Sequence, residues 1–154
     1  MSVEFANLQR GVPLAAARHV RRTAERALND LGRAGAAVHL TFVNDAQIRR
    51  LNARYRRADR PTDVLAFPLE VPGPSRLWGE IVISAETARR QAVRLGVPVR
   101  LELDLLIVHG LLHLAGYDDR EAREARLMHE REREIVGKTR RALPARLWSG
   151  LLPG

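Results

Sequence analysis

The feature that most constrains the fold is the segment VRLELDLLIVHGLLHL, residues 99–114, which is apolar on almost every side. A helix that is apolar around its whole circumference has no face suited to water, and is therefore expected to be buried. Pro98 is suited to open such a helix, and Gly116 permits the left-handed conformation that ends one. The sequence thus predicts a domain built around one central helix.

Strand and helix patterns alternate along the rest of the chain, without an internal repeat or a linker that would mark a domain boundary. Two-residue alternation of apolar side chains predicts strands, and helical periodicity with capping residues predicts helices. We expect strands over residues 2–8, 37–43, 62–70 and 78–84, and further helices over 12–31, 44–57, 85–95 and 119–136. Four strands and five helices indicate a layered α/β or α+β fold in one domain, residues 1–154, with 137–154 as a C-terminal tail.

Three helices carry more specific expectations. The first is expected to take Pro13 in its first turn. In the helix over 44–57, Ile48, Leu51 and Tyr55 share one apolar face. The last helix alternates its charges, as REAREARLMHEREREI, and is therefore expected to be mostly solvated.

Composition limits the kind of protein and the kind of metal site. With 154 residues the chain is long enough for one sizeable core and short for two. It has no apolar stretch of membrane-spanning length and its N-terminus lacks a signal-peptide layout, so we expect a cytoplasmic protein. Because there are no cysteines, a metal site must use histidine, aspartate or glutamate.

The net charge of +8 favours a polyanionic partner such as nucleic acid, because basic side chains release counterions from a phosphate backbone. Lys138 is the only lysine, so nearly all of the basicity is arginine, and this skew can also reflect genome base composition. With only 5% aromatic residues, we expect RNA to be bound through its backbone and shape more than by stacking on exposed rings.

A metal site is indicated where the central helix ends, in HGLLHLAGYDD, residues 109–119. His109 and His113 lie at i and i+4, so both imidazoles project from one face and can bind the same ion. Gly116 then turns the chain, and Asp119 follows as a third candidate ligand. The histidine pair alone is a weak indication, and the added turn and carboxylate make it much stronger. The alternative role for Asp119 is to cap the last helix.

A metalloprotease must be considered, because His-x-x-x-His followed by glycine is also the spacing of metzincin proteases. There, the residue after the first histidine is a glutamate that accepts a proton from the metal-bound water. Here that position is Gly110, which has no side chain to act as a base. The peptidase hypothesis therefore loses its central group.

The same segment resembles the HGxLHLxGYDH signature of the YbeY family of bacterial endoribonucleases and rRNA maturation factors. LNARYRRADRPTDVLAFPLE, residues 51–70, and WGEIVIS, residues 78–84, resemble two further blocks of that family, and Met128 matches a methionine of its last helix. The resemblance implies a small α+β domain, an α/β/α sandwich with a mixed four-stranded sheet. It also implies a zinc site of three histidines beside a positively charged cleft.

The resemblance further implies a single-strand-specific endoribonuclease that acts in 16S rRNA 3′-end maturation and ribosome quality control. The expected partner is rRNA in the small ribosomal subunit, with neither DNA nor a membrane. Each chain would bind one Zn²⁺, and a metal-bound water or a phosphate oxygen would take the position that the three protein ligands leave open.

This chain departs from the family at the third ligand, where Asp119 stands in place of the usual histidine. Aspartate is an ordinary zinc ligand, so coordination is still expected. Its negative charge lowers the net charge at the metal, which should weaken the polarisation of bound water and the attraction of phosphate. Asp118 matches the aspartate of the family's GYD string and is expected to stabilise the turn or support the ligands.

Other candidates surround this ligand set. Arg56 matches the arginine of the family's N-x-x-Y-R block and is the candidate phosphate clamp, with an ion pair to Asp59 or Asp63 as the alternative. Glu80 is a candidate acidic partner near the metal, and a solvent-facing strand carboxylate is the alternative. The candidate RNA-backbone stripe, with a solvated helix face as its alternative, consists of Arg50, Arg54 and Arg57.

The remaining histidines lie outside these motifs. His129 could replace a ligand but sits on the charged last helix, where we expect it to be solvated. His19 and His39 are interpreted as structural. Three hypotheses stay open for the function: a metal-dependent endoribonuclease, a ribosome-associated RNA-binding assembly factor with a structural metal, and a metallohydrolase of another substrate, including peptides.

Overall fold

The computed structural model describes residues 3–69, 77–138 and 143–150. Its elements run in the following order: β1 (Val3–Asn7), α1 (Ala17–Asp30), β2 (Ala37–Val43), α2 (Asp45–Arg56), β3 (Val64–Pro68), β4 (Leu77–Ser84), α3 (Ala85–Leu95), α4 (Val99–Leu114), α5 (Ala122–Gly137) and a 3₁₀-helix (Ala145–Gly150). The predicted α+β class with a mixed four-stranded sheet and five α-helices is confirmed.

The strands form one sheet in the order β1-β2-β4-β3. β1 and β4 both run parallel to β2, and β3 runs antiparallel to β4. Because side chains alternate between the two faces of a strand, Ile81 and Ile83 of β4 join the main core while Val82 joins a smaller cluster with Ile48 of α2. The sheet therefore lies between α2 on one face and a layer containing α1, α3, α4 and α5 on the other.

The central helix is α4, as its composition predicts. Thirteen of its sixteen residues are buried, and it contacts α1, α3, α5, β3 and β4. Gly110 explains how it packs so closely on the sheet, because a Cβ atom at this position would lie 2.8 Å from Cγ2 of Ile81. The glycine that argues against a protease base thus has a structural role in seating α4 on β4.

The predicted start of α1 is wrong. α1 begins at Ala17 rather than Val12, because the chain before it forms a turn closed by the side chain of Gln9. The Gln9 amide donates to the Val12 carbonyl at 2.9 Å and accepts from the Val12 amide at 2.9 Å. These bonds and the burial of Val12 hold this stretch, with Pro13, outside the helix.

Smaller differences concern the ends of the chain and of its elements. β3 is shorter than its predicted range of 62–70, and residue 70 of that range lies outside the described residues. Within the stretch predicted as a C-terminal tail, the 3₁₀-helix buries Leu147 and Trp148 in the main core. The helices of the described residues all lack the length of apolar sequence that a membrane crossing requires.

Candidate metal centre

Two imidazoles meet near the C-terminal end of α4. His109 is buried and His113 is half-buried, and their Nε2 atoms lie 3.1 Å apart. Their rings stand nearly perpendicular, with centroids 4.6 Å apart. This is the arrangement that the i, i+4 spacing predicts, with one nitrogen of each ring directed at a common point.

The second nitrogen of each ring is held by an oxygen acceptor. Nδ1 of His109 donates to Oε1 of Glu132 at 3.2 Å, and Nδ1 of His113 donates to the carbonyl oxygen of Tyr117 at 3.1 Å. Because a carboxylate and a carbonyl only accept, the proton of each neutral ring lies on Nδ1. Both Nε2 lone pairs are then available to a metal ion.

Asp119 completes the group through the turn that follows α4. Gly116 has a φ of 97°, which confirms the predicted left-handed turn. The turn brings Oδ2 of Asp119 to 3.5 Å from Nε2 of His109, and Oδ1 to 3.8 Å from Nε2 of His113. α5 begins only at Ala122, with Glu121 as its N-cap residue, so Asp119 does not occupy the capping position.

These three side chains fit a divalent cation. One ligand atom from each of His109, His113 and Asp119 lies within 4.8 Å of the others. Oδ1 of Asp119 is buried and has no hydrogen-bond partner among the described residues, which is costly for a carboxylate oxygen unless a cation satisfies it. Two imidazoles and one carboxylate are also a ligand set that zinc accepts, with a fourth position left for water or substrate.

The charges of the three groups are coupled. Burial opposes the charged form of His109, but hydrogen bonds with Asp119 and Glu132 outweigh it and raise its pKa to about 9. The hydrogen bond with His109 holds the pKa of Asp119 below its ordinary value, against burial. Burial and then the positive charge of His109 lower the pKa of His113. At neutral pH the group therefore pairs an ionised Asp119 with a protonated His109 and a neutral His113, and a metal ion that binds here displaces the Nε2 proton of His109.

Glu132 is a site residue that the sequence analysis missed. It lies on α5, is fully buried, and accepts from His109 through the same oxygen that accepts from Nδ1 of His129 at 2.9 Å. Burial would raise the pKa of Glu132, but these two hydrogen bonds lower it below its ordinary value. His129 was expected to be solvated, and it is so only in part: its side chain pairs with Glu132 and is 27% exposed.

Arg56, the predicted phosphate clamp, lies beside the metal ligands. It lines a pocket of about 280 Å³ together with His113, Asp119 and residues of the turn between them. Its positive charge adds to the effects of burial and His109 in lowering the pKa of His113. Within the described ranges, no carboxylate forms an ion pair with Arg56, and Asp59 pairs instead with Arg49 at 2.8 Å. The structure thus brings Arg56 and the candidate ligands together.

The other three arginines form a less regular surface than the predicted stripe. Arg50 and Arg54 line a separate shallow pocket on the exposed side of α2. Arg57 is the residue after α2 and adopts a left-handed conformation with a φ of 56°. The helical stripe therefore ends at Arg54, and Arg57 continues it only as part of the following loop.

The two predicted acidic neighbours differ in their relation to the ligands: Glu80 is turned away from them, whereas Asp118 lies in the turn beside them. Glu80 alternates on β4 with Gly79 and Ile81, which both pack against α4, so its side chain belongs to the opposite face of the sheet. Asp118 lines the pocket of the ligands, and its side chain accepts from the backbone amide of Arg120 at 3.1 Å and from the Arg120 Nε at 2.8 Å, which agrees with the expected role in stabilising the turn. Hydrogen bonds from the side chain and backbone of Arg120 lower the pKa of Asp118 to about 2.

The two remaining histidines lie in other parts of the structure. His19 links α1 to α4, since Nε2 donates to Asp104 at 2.9 Å while Nδ1 accepts from Arg100 at 2.9 Å. His39 on β2 lies 3.2 Å from the Glu4 carboxylate on β1. Neither lines the pocket beside the metal ligands.

The fold and this ligand set define an α+β domain with a candidate metal centre at the end of its buried helix. Residues 4–140 match the family model described as Endoribonuclease YbeY. The chain therefore belongs to the YbeY family, as the motifs indicate.

Several relatives carry the name Endoribonuclease YbeY. The one from Anaeromyxobacter dehalogenans is 46% identical over 122 residues, which make up 79% of this chain and 63% of the relative. The relative from Aquifex aeolicus is 40% identical, and the match covers 80% of this chain and 84% of the relative. The relative from Geobacter metallireducens is 39% identical, and the match covers 88% of this chain and 93% of the relative. The chain thus spans less than two thirds of the Anaeromyxobacter relative but most of the other two.

A solved structure has a similar fold. The solution structure of TM1509 from Thermotoga maritima matches with a TM-score of 0.60 and 25% sequence identity. The match covers 96% of this chain and 89% of the other.

Proposed function

We propose that this protein is a zinc-dependent endoribonuclease that hydrolyses phosphodiester bonds in single-stranded RNA. We further propose that it acts in 16S rRNA 3′-end maturation and ribosome quality control. Membership in a family whose relatives are named endoribonucleases supports the reaction class. The observation that carries the proposal is that two of the candidate metal ligands, His113 and Asp119, line the same pocket as Arg56, which has no carboxylate partner among the described residues.

His109, His113 and Asp119 would hold one zinc ion per chain. When bound, a divalent cation supplies Lewis-acid stabilisation of the negative charge that develops on a phosphate during cleavage. Glu132 keeps the ring of His109 oriented, and the Tyr117 carbonyl does the same for His113. The partial exposure of His113 supports a site that substrate can reach, rather than a closed structural one.

Arg56 would bind the phosphate that is to be cut. Its guanidinium presents a planar fork of donors that matches two phosphate oxygens, and it keeps its charge at all physiological pH values. Because it lines the pocket of the ligands, it can hold the phosphate beside the cation and stabilise charge in the transition state. Arg50, Arg54 and Arg57 would contact the RNA backbone further away, which the basic net charge supports.

The resemblance to the family supports the partner and the place of action that we propose. The substrate would be rRNA of the small ribosomal subunit, in the cytoplasm, and no membrane is involved. Asp119 instead of a third histidine leaves less positive charge at the metal. A ribosome-associated assembly factor with a structural metal is therefore the second candidate function.

The test is cleavage of a 16S rRNA 3′ fragment with single-stranded ends by protein of measured metal content. Wild type is compared with His113→Ala, Arg56→Ala and the control Arg26→Ala, an exposed α1 arginine that lines none of the pockets described here. We expect His113→Ala and Arg56→Ala to lower the cleavage rate by about 100-fold or more, and Arg26→Ala to keep it. Metal-loaded wild type that cuts no faster than His113→Ala would instead support the assembly factor.

A further inference from the structure

A second pocket adjoins the metal pocket on the other side of Arg56. It has a volume of about 530 Å³ and lies between the C-terminal half of α2 and the start of β3. Its lining comprises Asn52, Tyr55, Arg56, Ala58, Arg60, Thr62, Val64 and Leu65. Arg56 lines both pockets. An RNA strand with one phosphate bound at Arg56 therefore has the second pocket within reach of its neighbouring nucleotide.

Tyr55 gives the pocket an aromatic wall. The helical pattern places it on the apolar face of α2 with Ile48 and Leu51, yet it is 57% exposed while Ile48 is fully buried. The guanidinium of Arg54 lies 5.4 Å from its ring centroid, and the ring of Phe67 meets it nearly edge-on at 5.3 Å. A large ring that is held by two neighbours and still exposed is a ready surface for stacking.

The loop that forms the opposite wall is held in place by hydrogen bonds to the side chain and the backbone of Asn52. Asn52 is buried, and its side-chain amide donates to the Arg60 carbonyl at 2.9 Å. The Asn52 carbonyl accepts from the Ala58 amide at 3.2 Å. Between them, Arg57 adopts its left-handed conformation and reverses the chain. The pocket is thus formed before any ligand binds, which limits the ordering that binding requires.

The charge of the lining favours an anion. Arg56 and Arg60 are exposed, and within the described part of the chain neither forms an ion pair with a carboxylate. None of the described residues that line the pocket is acidic. An aromatic side chain that lines the same pocket as two guanidinium groups, neither paired with a carboxylate among the described residues, matches a base attached to a phosphate backbone.

We propose that this pocket is a nucleotide subsite, in which the nucleotide next to the phosphate at Arg56 stacks its base on Tyr55. The proposal rests on the proposed function, since it extends the same RNA-binding cleft. It also revises the expectation that stacking contributes little: the few aromatic residues include one placed beside the candidate centre. Arg60 binds the phosphate on the far side of the stacked base.

The experiment measures the affinity for a fluorescent single-stranded RNA oligonucleotide by anisotropy, with a chelator present to prevent cleavage. Wild type is compared with Tyr55→Phe, Tyr55→Trp and Tyr55→Ala, and with Leu127→Ala, which removes a similarly exposed apolar side chain from α5. We expect Tyr55→Ala to weaken binding about tenfold, because stacking is sequence-tolerant but needs a ring. Tyr55→Phe, Tyr55→Trp and Leu127→Ala should stay within about threefold of wild type.

A series of oligonucleotides, each lacking one base, locates the contact. Wild type should lose affinity when the base beside the cleaved bond is missing, and Tyr55→Ala should not respond to that loss. If Tyr55→Ala does not fold, an unchanged affinity across the base-deletion series in wild type overturns the subsite. If Tyr55→Ala folds and binds and cuts RNA as wild type does, the subsite is wrong and the proposed function stands. If wild type itself neither binds nor cuts RNA, the proposed function is wrong.

Discussion

The side chains of His109 and Glu132 meet inside the protein, with Nδ1 of the imidazole 3.2 Å from Oε1 of the carboxylate. Glu132 is fully buried and His109 nearly so, so this bond is screened little by water. It joins α5 to α4 and directs Nε2 of His109 towards His113 and Asp119. The charged last helix therefore supports the candidate metal centre in addition to covering the core.

Replacing this carboxylate should weaken metal binding. Glu132→Gln keeps the size of the side chain and removes its charge, so the ring of His109 becomes less well oriented and less basic. We expect the affinity for zinc to fall by about 10- to 100-fold, measured by competition with a chromophoric chelator. Glu130→Gln is the matched control, because Glu130 lies on the same helix but is exposed.

The same comparison separates orientation from folding. Both variants are checked by thermal unfolding in the absence of metal, so that a loss of affinity is not a loss of structure. Equal zinc affinity for Glu132→Gln and Glu130→Gln, in folded protein, would contradict the role of Glu132.

The close contact of α4 with β4 predicts an unusual response to alanine. Gly110→Ala places a Cβ atom 2.8 Å from Cγ2 of Ile81, a branched side chain that cannot swing away. Overpacking of this kind costs about 1–3 kcal/mol, which exceeds the gain of about 1 kcal/mol from replacing a helical glycine. We expect a lower free energy of unfolding, measured with urea.

Gly137→Ala is the control for this prediction. A Cβ atom there would have Leu143 as its nearest neighbour at 3.9 Å, an ordinary contact. This substitution in α5 should leave the free energy of unfolding unchanged or raise it by up to about 1 kcal/mol. A stability gain for Gly110→Ala as large as that for Gly137→Ala would mean that α4 does not pack as closely as described.

Glu102 predicts that stability depends on pH. It is fully buried on α4, and neither carboxylate oxygen has a hydrogen-bond partner in the described part of the chain. Burial, aided by the negative charge of Asp63, raises its pKa from 4.5 to about 7. Between pH 4.5 and about pH 7, Glu102 keeps its proton in the folded protein but releases it in the unfolded chain. The free energy of unfolding therefore falls as the pH rises through this range.

The variant Glu102→Gln removes this titration. A shift of one pKa unit corresponds to about 1.4 kcal/mol. Between pH 4 and pH 8, wild type should therefore lose about 3 kcal/mol of unfolding free energy relative to Glu102→Gln. The measurement is urea unfolding of both proteins across this range. A difference between them that is the same at pH 4 and pH 8 would show that Glu102 does not titrate as described.

The third ligand predicts an effect on cleavage. Asp119→His restores the three-histidine set that the family resemblance implies, and removes one negative charge at the metal. We expect a higher cleavage rate per bound metal ion on the 16S rRNA fragment, because the cation then polarises its ligands more strongly. A lower rate at full metal occupancy would indicate that the aspartate is the better ligand in this chain.

The central helix and its ligands could be predicted because local sequence determines them. The apolar circumference of residues 99–114 requires burial, the i, i+4 spacing places His109 and His113 on one face, and Gly116 allows the turn that returns Asp119. Arg56 could be predicted because it lies in a short block of sequence that matches a motif of the family. Each of these predictions depends on residues that are close in the sequence.

Glu132 and Tyr55 could not be predicted, because long-range packing decides their environments. Charged residues surround Glu132 in the sequence, and only the position of α5 against α4 buries it beside His109. Tyr55 follows the apolar pattern of α2, but the sheet covers that face only as far as Leu51, so the ring extends past the small core cluster. Glu80 was predicted to lie near the metal but does not, because the alternation of side chains along β4 directs it to the other face of the sheet.

A metal ion held by His109, His113 and Asp119 is the basis of the proposed activity, and metal analysis of the purified protein tests whether it is bound. We expect one zinc ion per chain in wild type, and a loss of stoichiometric metal in His113→Ala and Asp119→Ala. Asp118→Ala, which removes the neighbouring carboxylate paired with Arg120, should keep its metal. Wild type without stoichiometric metal, or Asp119→Ala that retains it with unchanged affinity, would contradict the proposed centre.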